Sequence, residues 1–264
     1  MFRRNFLSLF PMLPAMAAGQ AAPTGGGAAG PLLYEWRQFS MRTGPAGRRL
    51  DDYLQAALIP ALNRLGHAPV GVFQVTFGLP TPTTCVLTPF ASADGLVRRD
   101  AALDADAEYV RAAAAYLDAA AGDPAYVRQE VSILSAFPQF PAIAVPAATA
   151  SKGARIFELR TYESPGERAH RAKVKMFAEM GEIDIFKRVG FAPVFFAHTL
   201  AGPRMPSLVY MLTHENLAAR DRNWAAFAGD ADWAKLRQTP GYSDAEIVSN
   251  ITDILLRPAA YSQI

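Results

Sequence analysis

Cysteine is almost absent from this chain. Cys85 is the only cysteine among 264 residues, so neither an intramolecular disulfide nor a cysteine-based metal cluster can form. Histidine is also scarce, and its positions show no metal-ligand spacing such as HExxH: His67, His170, His198 and His214. The sequence has no phosphate-cradling glycine loop and no GxSxG nucleophile motif. We therefore predict no metal site and no cofactor.

Charge is sparse and nearly balanced. Charged residues make up 19% of the chain, with 26 basic and 24 acidic residues. Arg3 and Arg4 lie in a segment that we expect to be removed, which leaves 24 basic against 24 acidic residues. This balance argues against a nucleic-acid-binding protein. Hydrophobic residues make up 51% of the chain, enough for a substantial core.

Residues 1–30 resemble an export signal followed by a flexible linker. Arg3 and Arg4 precede an apolar run, Phe6 to Ala18, and Ala-Met-Ala at 15–17 has the small-x-small pattern of a cleavage site. The arginine pair resembles a bacterial twin-arginine signal. The apolar run is too short to span a bilayer stably. We predict a periplasmic or secreted protein with no stable membrane span; the alternative is a mitochondrial presequence, which is also Arg-rich and acid-poor.

The most informative stretch opens the second half of the chain, and its residues alternate strictly. Phe157 and Leu159 point to one side of the predicted strand, while Glu158, Arg160 and Tyr162 point to the other. A weaker copy at 33–39 opens the first half.

Each half reads β-α-β-β-α-β, in domains at 31–137 and 154–264 joined by a proline-containing linker at 138–153. Glu35-x-Arg37 matches Glu158-x-Arg160, residues 64–70 match 188–194, and residues 106–109 match 230–233, all at an offset of 123 to 124. The constant offset indicates a tandem repeat.

Several finer expectations follow from residue patterns. Pro60 should kink or split the helix predicted over 48–65. One helix is expected over Glu167–Val189, and the last strand over Ile247–Leu256. Cys85 reads as a small core residue within a strand.

Two helices can cover only one face of a four-stranded sheet, so the second face of each sheet needs a partner. The two halves can provide it for each other. The expected fold is therefore α+β: two tandem ferredoxin-like domains forming a pseudo-dimeric α/β barrel with its helices outside. On this arrangement we expect Glu158, Arg160 and Tyr162 to line the barrel interior.

The second half resembles the NIPSNAP family. The residues that carry the resemblance are Phe157-Glu158-Leu159-Arg160-Thr161-Tyr162, Val189-Gly190-Phe191, Leu208-Val209-Tyr210, Asp230-Ala231-Asp232-Trp233 and the closing segment 256–262. The resemblance implies the dimeric α/β-barrel superfamily in a tandem two-domain bacterial form, and a family whose molecular function is poorly defined. Related barrels include cofactor-free monooxygenases and haem-binding enzymes, so the fold does not decide the function.

Glu158 and Arg160 start about 6.6 Å apart on one strand face. They would form a structural ion pair, or Arg160 would hold an anionic oxygen of a ligand. His198 would be a general base, an axial haem ligand, or a core histidine bonded to the backbone or to Tyr210. Tyr162 and Tyr210 would donate to a ligand oxygen or simply pack.

These readings leave the chemical activity open. The chain is interpreted as a NIPSNAP-like protein that binds a small molecule in the barrel. The alternative is a cofactor-independent oxygenase or isomerase acting on an aromatic or polyketide-like substrate, with His198 as base. Haem binding is a weaker alternative. The duplication allows a monomer with an internal pseudo-dimer, or a homodimer.

Overall fold

A computed structural model describes residues 31–44 and 46–264. The predicted export signal lies outside the described residues. The strands are β1 (Leu33–Ser40), β2 (Gly71–Phe77), β3 (Thr83–Phe90), β4 (Arg128–Ala136), β5 (Ile156–Glu163), β6 (Ala192–Ala201), β7 (Ser207–His214) and β8 (Asn250–Pro258). The helices are α1 (Ala46–Tyr53), α2 (Ile59–Arg64), α3 (Ala93–Asp104), α4 (Ala107–Leu117), α5 (Glu167–Ala178), α6 (Glu182–Arg188), α7 (Leu217–Ala228), α8 (Ala231–Leu236) and α9 (Asp244–Ile247).

The eight strands close into one antiparallel barrel in the order β1-β3-β2-β8-β5-β7-β6-β4. Each half contributes four neighbouring strands in the ferredoxin-like order, β4-β1-β3-β2 and β8-β5-β7-β6. The two sheets join at their edges, where β2 pairs with β8 and β4 pairs with β6. The predicted α+β class and pseudo-dimeric barrel are therefore confirmed.

Each sheet has an apolar inner face and an apolar outer face. The inner faces of both sheets share one core inside the barrel, which includes Trp36, Phe73, Phe157 and Phe195. The outer faces pack against helices in two separate cores, one in each half. Among the described residues, no helix is both long enough and apolar enough to span a bilayer.

The same arginine–aspartate contact occurs within the helical layer of each half. Arg64 bonds Asp106 in the first half, and Arg188 bonds Asp230 in the second. Each aspartate also caps a helix, because its Oδ1 accepts hydrogen bonds from the backbone amides two and three residues later. Equivalent positions therefore perform the same structural task in both halves.

Three details of the elements differ from the sequence-based expectation or refine it. The chain stays helical through Pro60, because a π-helical turn at Leu54–Leu58 precedes it and accommodates the missing amide donor. The helix expected over Glu167–Val189 breaks at Gly181, whose φ is +93°. Ile247 belongs to α9 rather than to a strand, because Ser243 and Glu246 form a capping box before it.

The expected orientation of the polar face of β5 was wrong. Phe157 and Leu159 point into the barrel, whereas Tyr162 belongs to the core between the sheet and the helices. Glu158 and Arg160 share the face of Tyr162, since side chains alternate along a strand. Alternation correctly grouped these residues, but it does not decide which face of a sheet meets the other half.

Candidate functional site

The barrel interior is filled at one end. Ile264 is fully buried there and packs into the inner core with Phe73 and Phe157. The segment before it is held to the start of β2, since the Val70 amide donates to Gln263 Oε1 at 2.7 Å and the Gln263 amide donates to the Val70 carbonyl at 3.0 Å. This end of the barrel is therefore closed by packed side chains.

The opposite end of the barrel holds a cavity of about 260 Å³, which we call the mouth pocket. Its apolar lining residues are Trp36, Leu79, Leu134, Leu159, Pro203, Val209 and Ile254. Its polar lining residues are Gln38, Glu130, Ser132, Thr161, Thr199, Arg204 and Ser207. All fourteen lie on strands or turns, and they come from both halves, so the pocket exists only because the two sheets close.

Two hydroxyls of the mouth pocket are already paired. Thr199 and Ser207 lie 2.8 Å apart between their Oγ1 and Oγ atoms, across β6 and β7. Arg204, in the turn between these strands, donates to Thr252 Oγ1 at 3.0 Å. Its φ of +64° places this non-glycine residue in the left-handed region, at the edge of the pocket.

Glu158 lies on the other face of the sheet, where it is fully buried and satisfied. Its carboxylate accepts hydrogen bonds from Arg220 Nε at 2.9 Å, from Trp224 Nε1 at 2.9 Å and from Arg160 Nη1 at 3.1 Å, and it lies 3.0 Å from His214 Nε2. Burial opposes its charge, but hydrogen bonds from His214, Trp224 and Arg220 prevail and lower its pKa to about 2. This is the geometry of a structural ion-pair network, with no carboxylate oxygen left free for a ligand.

Arg160 is held within the same network. Its guanidinium lies 4.4 Å from the ring centre of Trp224 and 5.5 Å from that of Tyr162, and its Nη1 lies 3.6 Å from Asp253 Oδ2. Burial and the charge of Glu158 raise the pKa of Asp253 to about 6. Arg160 is therefore engaged on three sides by the protein itself.

Tyr162 and Tyr210 lie side by side and bond each other rather than a ligand. The Tyr210 hydroxyl donates to the Tyr162 hydroxyl at 3.3 Å, and burial raises the pKa of both phenols. Beside them lies Lys173, whose Nζ is 5.1 Å from the ring centres of Tyr162 and Phe177. The two tyrosines therefore form part of a buried polar cluster beneath α5.

Lys173 is paired with two carboxylates. Its Nζ lies 3.7 Å from Glu182 Oε2 and 3.4 Å from Asp244 Oδ1. Glu182 is 2% exposed, and burial raises its pKa to about 7 although Lys173 acts in the opposite direction. We call Lys173, Glu182, Asp244, Tyr162 and Tyr210 the sheet–helix cluster.

His198 shares the outer face of its sheet with Phe196 and lies apart from the tyrosine pair. Its ring centre is 6.1 Å from that of His170 and 6.4 Å from that of Phe137, and burial lowers its pKa. It pairs across strands with Leu208, which pairs in turn with Tyr162, so about 10 Å separates the backbones of His198 and Tyr162. Tyr210 bonds Tyr162 rather than His198.

None of the five main cavities in residues 31–44 and 46–264 is lined by the sequence-predicted site residues. Those residues are Glu158, Arg160, Tyr162, His198 and Tyr210. The surroundings of His198 therefore do not fit a haem macrocycle. In the same described ranges, no group of three or more His, Cys, Asp or Glu side chains is arranged to hold a metal ion.

The largest of these five cavities lies outside the barrel. It measures about 740 Å³ and is bounded by residues 149–156, the start of α7 and residues 257–262. It is a groove open to solvent, so it would enclose a ligand less completely than the mouth pocket does.

Sequence reasoning missed Lys173 and Glu182, although one signal pointed to the first. Lys173 lies three residues after His170 and four before Phe177, on the stripe that α5 turns towards the sheet. A lysine on such a stripe needs a buried partner. Glu182 gave no comparable signal, because its burial depends on the interruption between α5 and α6 at Gly181.

The second half of the chain is similar to one known protein family. Residues 157–263 match the model of the NIPSNAP family. The match covers less than half of the chain, and we call the matching residues 157–263 the NIPSNAP domain. No curated protein matches the chain.

Several solved structures are similar to all or part of this chain. A protein described as an uncharacterised NIPSNAP-like domain protein from Burkholderia xenovorans is 21% identical, covers 42% of this chain and 90% of its own length, and has a TM-score of 0.37. A proposed monooxygenase from Lactobacillus acidophilus is 7% identical, covers 86% of this chain and 94% of its own, with a TM-score of 0.56. An anthrone oxidase-like protein is 9% identical, covers 86% and 91%, with a TM-score of 0.50. The last two share the barrel architecture over nearly the whole chain.

The NIPSNAP domain contains both the Glu158 network and the sheet–helix cluster. The first half contains only part of this arrangement. Glu35 binds Arg37 at 2.9 Å and also pairs with Arg99, while Phe39 stands where the NIPSNAP domain has Tyr162. The mouth pocket, in contrast, takes residues from both halves.

Proposed function

We propose that this protein, with its NIPSNAP domain, binds a small organic molecule in the mouth pocket. The observation that carries the proposal is the cavity of about 260 Å³ at the open end of a barrel that is otherwise filled. Apolar walls with a few convergent polar groups are typical of small-molecule sites. The site residues that were predicted from the sequence lie between the sheet and the helices instead.

Two buried polar atoms inside the barrel also lack a hydrogen-bond partner among the described residues. Tyr34 Oη and Trp36 Nε1 are buried there without a hydrogen-bond partner among the described residues. Buried polar atoms in folded proteins are nearly always paired with protein, water or ligand. Trp36 lines the mouth pocket, so a ligand bound there would lie beside one of these two residues.

Native mass spectrometry of the protein purified from its own host tests the proposal. We expect a mass excess that is lost on denaturation. Val209→Phe, which fills the pocket, should abolish the excess, whereas His198→Ala should retain it because His198 does not line the pocket. Thr161→Val provides a second, nearly isosteric pocket variant in case Val209→Phe folds poorly. A mass excess retained in both pocket variants would contradict the proposed site.

A second candidate is a cofactor-independent oxygenase or isomerase that acts on the molecule in the mouth pocket. It is favoured by the barrel architecture shared with a proposed monooxygenase and an anthrone oxidase-like protein. The test is incubation of the released ligand with the protein under isotopically labelled oxygen. A ligand recovered without label and without rearrangement would exclude this candidate.

We also propose that the chain is exported and that its two halves, 31–137 and 154–264, arose by duplication. Export is supported by Arg3 and Arg4 ahead of an apolar run. Duplication is supported by the equivalent Arg64–Asp106 and Arg188–Asp230 contacts. Replacing both arginines of the leader by lysine should abolish twin-arginine export, and unchanged export of the variant would exclude that route.

A further inference from the structure

The largest of the five main cavities shares no lining residue with the mouth pocket. It is a solvent-open groove of about 740 Å³, which we call the linker groove. Its walls are residues 149–156 of the linker and β5, the start of α7, and residues 257–262 at the end of β8 and beyond it. Small-molecule sites usually measure about 300–1,000 Å³, so the linker groove has a suitable size for a ligand.

The walls of the linker groove are mostly apolar. Ile156, Pro258 and Ala259 line the groove, and so does Leu217, which is 50% exposed. Water therefore contacts apolar side chains in a recess rather than on a convex surface. A ligand with an apolar portion would remove this area from water, which is favourable.

The charge of the linker groove is predominantly positive. Its basic lining residues are Lys152, Arg155 and Arg257, and its one acidic lining residue is Glu215. Within the described residues, the basic side chains that make hydrogen bonds donate to main-chain oxygens, and none of the three forms an ion pair with a carboxylate. Three positive charges therefore border an apolar recess without a bonded counter-ion.

Arg155 is the most constrained of the three cations. Its two Nη atoms donate to the main-chain oxygens of Gly153 and Ile264, both at 3.1 Å. Its Nε is buried without a hydrogen-bond partner among the described residues. Burial lowers the pKa of Arg155, and no neighbouring acid offsets that effect. A bound anion would provide the missing negative charge.

The start of α7 adds further positive character. Leu217 and Ala218 line the groove and are the first two residues of this 12-residue helix, so their amides have no acceptor within the helix. The Asn216 side chain accepts a hydrogen bond from the Ala219 amide instead, at 2.9 Å. The positive end of the α7 dipole therefore borders the groove and favours an anion there.

We propose that the linker groove binds an organic acid with an apolar body. Arg155 and Arg257 hold its carboxylate together with Lys152. The apolar body lies against Ile156 and Leu217. Hydrogen bonds from guanidinium and ammonium groups to a carboxylate are charge-assisted and therefore stronger than neutral ones. This site is separate from the mouth pocket and does not depend on the proposed function.

The shape and charge of the linker groove favour a small acid over a larger partner. A bilayer surface is flat, whereas the basic residues surround a recess. A second copy of the chain carries a net charge of +2, so it offers no excess of negative charge to the groove. A small organic acid fits the recess and supplies both the negative charge and the apolar surface.

Calorimetric titration of the full chain with three probes tests the proposal. Decanoate has both the carboxylate and an apolar body, decanol lacks the charge, and acetate lacks the body. Because hydrogen bonds to a charged group are stronger than neutral ones, decanoate should bind at least about tenfold more tightly than decanol. It should bind at least about 100-fold more tightly than acetate if half of its methylene groups are buried.

Variants then assign each effect to its residues. Arg257→Gln isolates the charge, since Arg257 is exposed and its side chain makes no hydrogen bond within the described residues. It should weaken decanoate binding about tenfold and leave decanol binding unchanged. Leu217→Ser should weaken the binding of both probes severalfold. Arg111→Gln is the matched control and should change neither affinity, since Arg111 is also exposed but lies on α4 of the first half.

The outcomes distinguish this inference from the proposed function. Equal affinity for decanoate and decanol, or unchanged decanoate affinity in Arg257→Gln, would overturn the anion site. Loss of decanoate binding in Val209→Phe would place the acid in the mouth pocket, which would overturn this inference while supporting the proposed function.

Two further results would assign the linker groove to another occupant. Binding of phosphatidylglycerol vesicles that needs Arg257, without binding of decanoate, would indicate a membrane surface. A dimer that Arg257→Gln converts into a monomer, again without binding of decanoate, would indicate a second copy of the chain. Either result would also overturn the inference.

Discussion

Lys173 Nζ lies 3.7 Å from Glu182 Oε2, and both side chains are buried between the sheet and the helices. Burial raises the pKa of Glu182 from 4.5 to about 7, so the folded protein binds this proton more tightly than the unfolded chain does. The stabilisation from this proton is fully present below pH 4.5. It is lost as the pH rises through about 7.

Glu182→Gln should remove this pH dependence, because the amide does not titrate. Between pH 4.5 and 7.5 we expect the parent protein to lose up to about 3 kcal/mol relative to the variant, following the pKa shift. Urea unfolding at several pH values measures the difference. The exposed Glu179, replaced by Gln, is the control on the same side of the domain. Parallel curves for the parent and Glu182→Gln would contradict the shifted pKa.

Glu158 should show the opposite dependence. Its pKa is lowered to about 2, so its contribution is fully present above pH 4.5 and is lost as the pH falls through about 2. Glu158→Gln should therefore cost about 3 kcal/mol at pH 7, and the cost should shrink in acid. Chemical unfolding at pH 7 and pH 3 measures both effects.

Glu35→Gln is the matched control for this prediction, since Glu35 occupies the equivalent position in the first half. Among residues 31–44 and 46–264, only Arg37 and Arg99 bond its side chain, without the histidine and tryptophan donors that Glu158 has. We expect a smaller loss of stability from this variant. An equal loss in both halves would mean that the additional donors to Glu158 contribute little.

The barrel could be predicted from the sequence because two independent signals agreed. The alternation of Phe157, Glu158, Leu159 and Arg160 fixed a strand, and the repeat at an offset of 123 to 124 showed that this strand had a counterpart. Two small sheets that each lack a cover have few ways to pack. The order of strands and helices, together with one uncovered face on each sheet, was sufficient to predict the fold.

The site could not be predicted in the same way, because it depends on which face of each sheet turns inward. Alternation is symmetric between the two faces. The charged side chains of Glu158 and Arg160 suggested a polar pocket inside the barrel. Arg220 and Trp224 from α7 instead contact them from outside the barrel. The mouth pocket is lined by ordinary hydroxyl residues such as Thr161 and Ser207, which form no recognisable motif.

His198 and His170 should both remain neutral at pH 7. Burial lowers the pKa of each imidazole below 6.5, and the charge of His198 lowers that of His170 further. Histidine titration by NMR measures both values directly. In His198→Ala we expect the pKa of His170 to rise while staying below 6.5, because burial remains. A value for His198 above 6.5 in the parent protein would contradict its burial and would favour a partner carboxylate.

Gly78 fixes the seam between the halves at the open end of the barrel. Its φ is +99°, and a Cβ added there would lie 2.9 Å from Ile254 Cα and even closer to the Asp253 carbonyl oxygen. Gly78→Ala must therefore adopt an unfavourable backbone conformation and also push β8 away from β2, which should cost about 3 kcal/mol. Gly122→Ala is the control, since nothing lies within 4 Å of its added Cβ and we expect a change within about 0.5 kcal/mol. Thermal unfolding of the two variants measures these costs. Leu79 and Ile254 line the mouth pocket beside this seam, so Gly78→Ala should also weaken ligand binding. Unchanged stability of Gly78→Ala would mean that β2 and β8 can separate here without loss of packing.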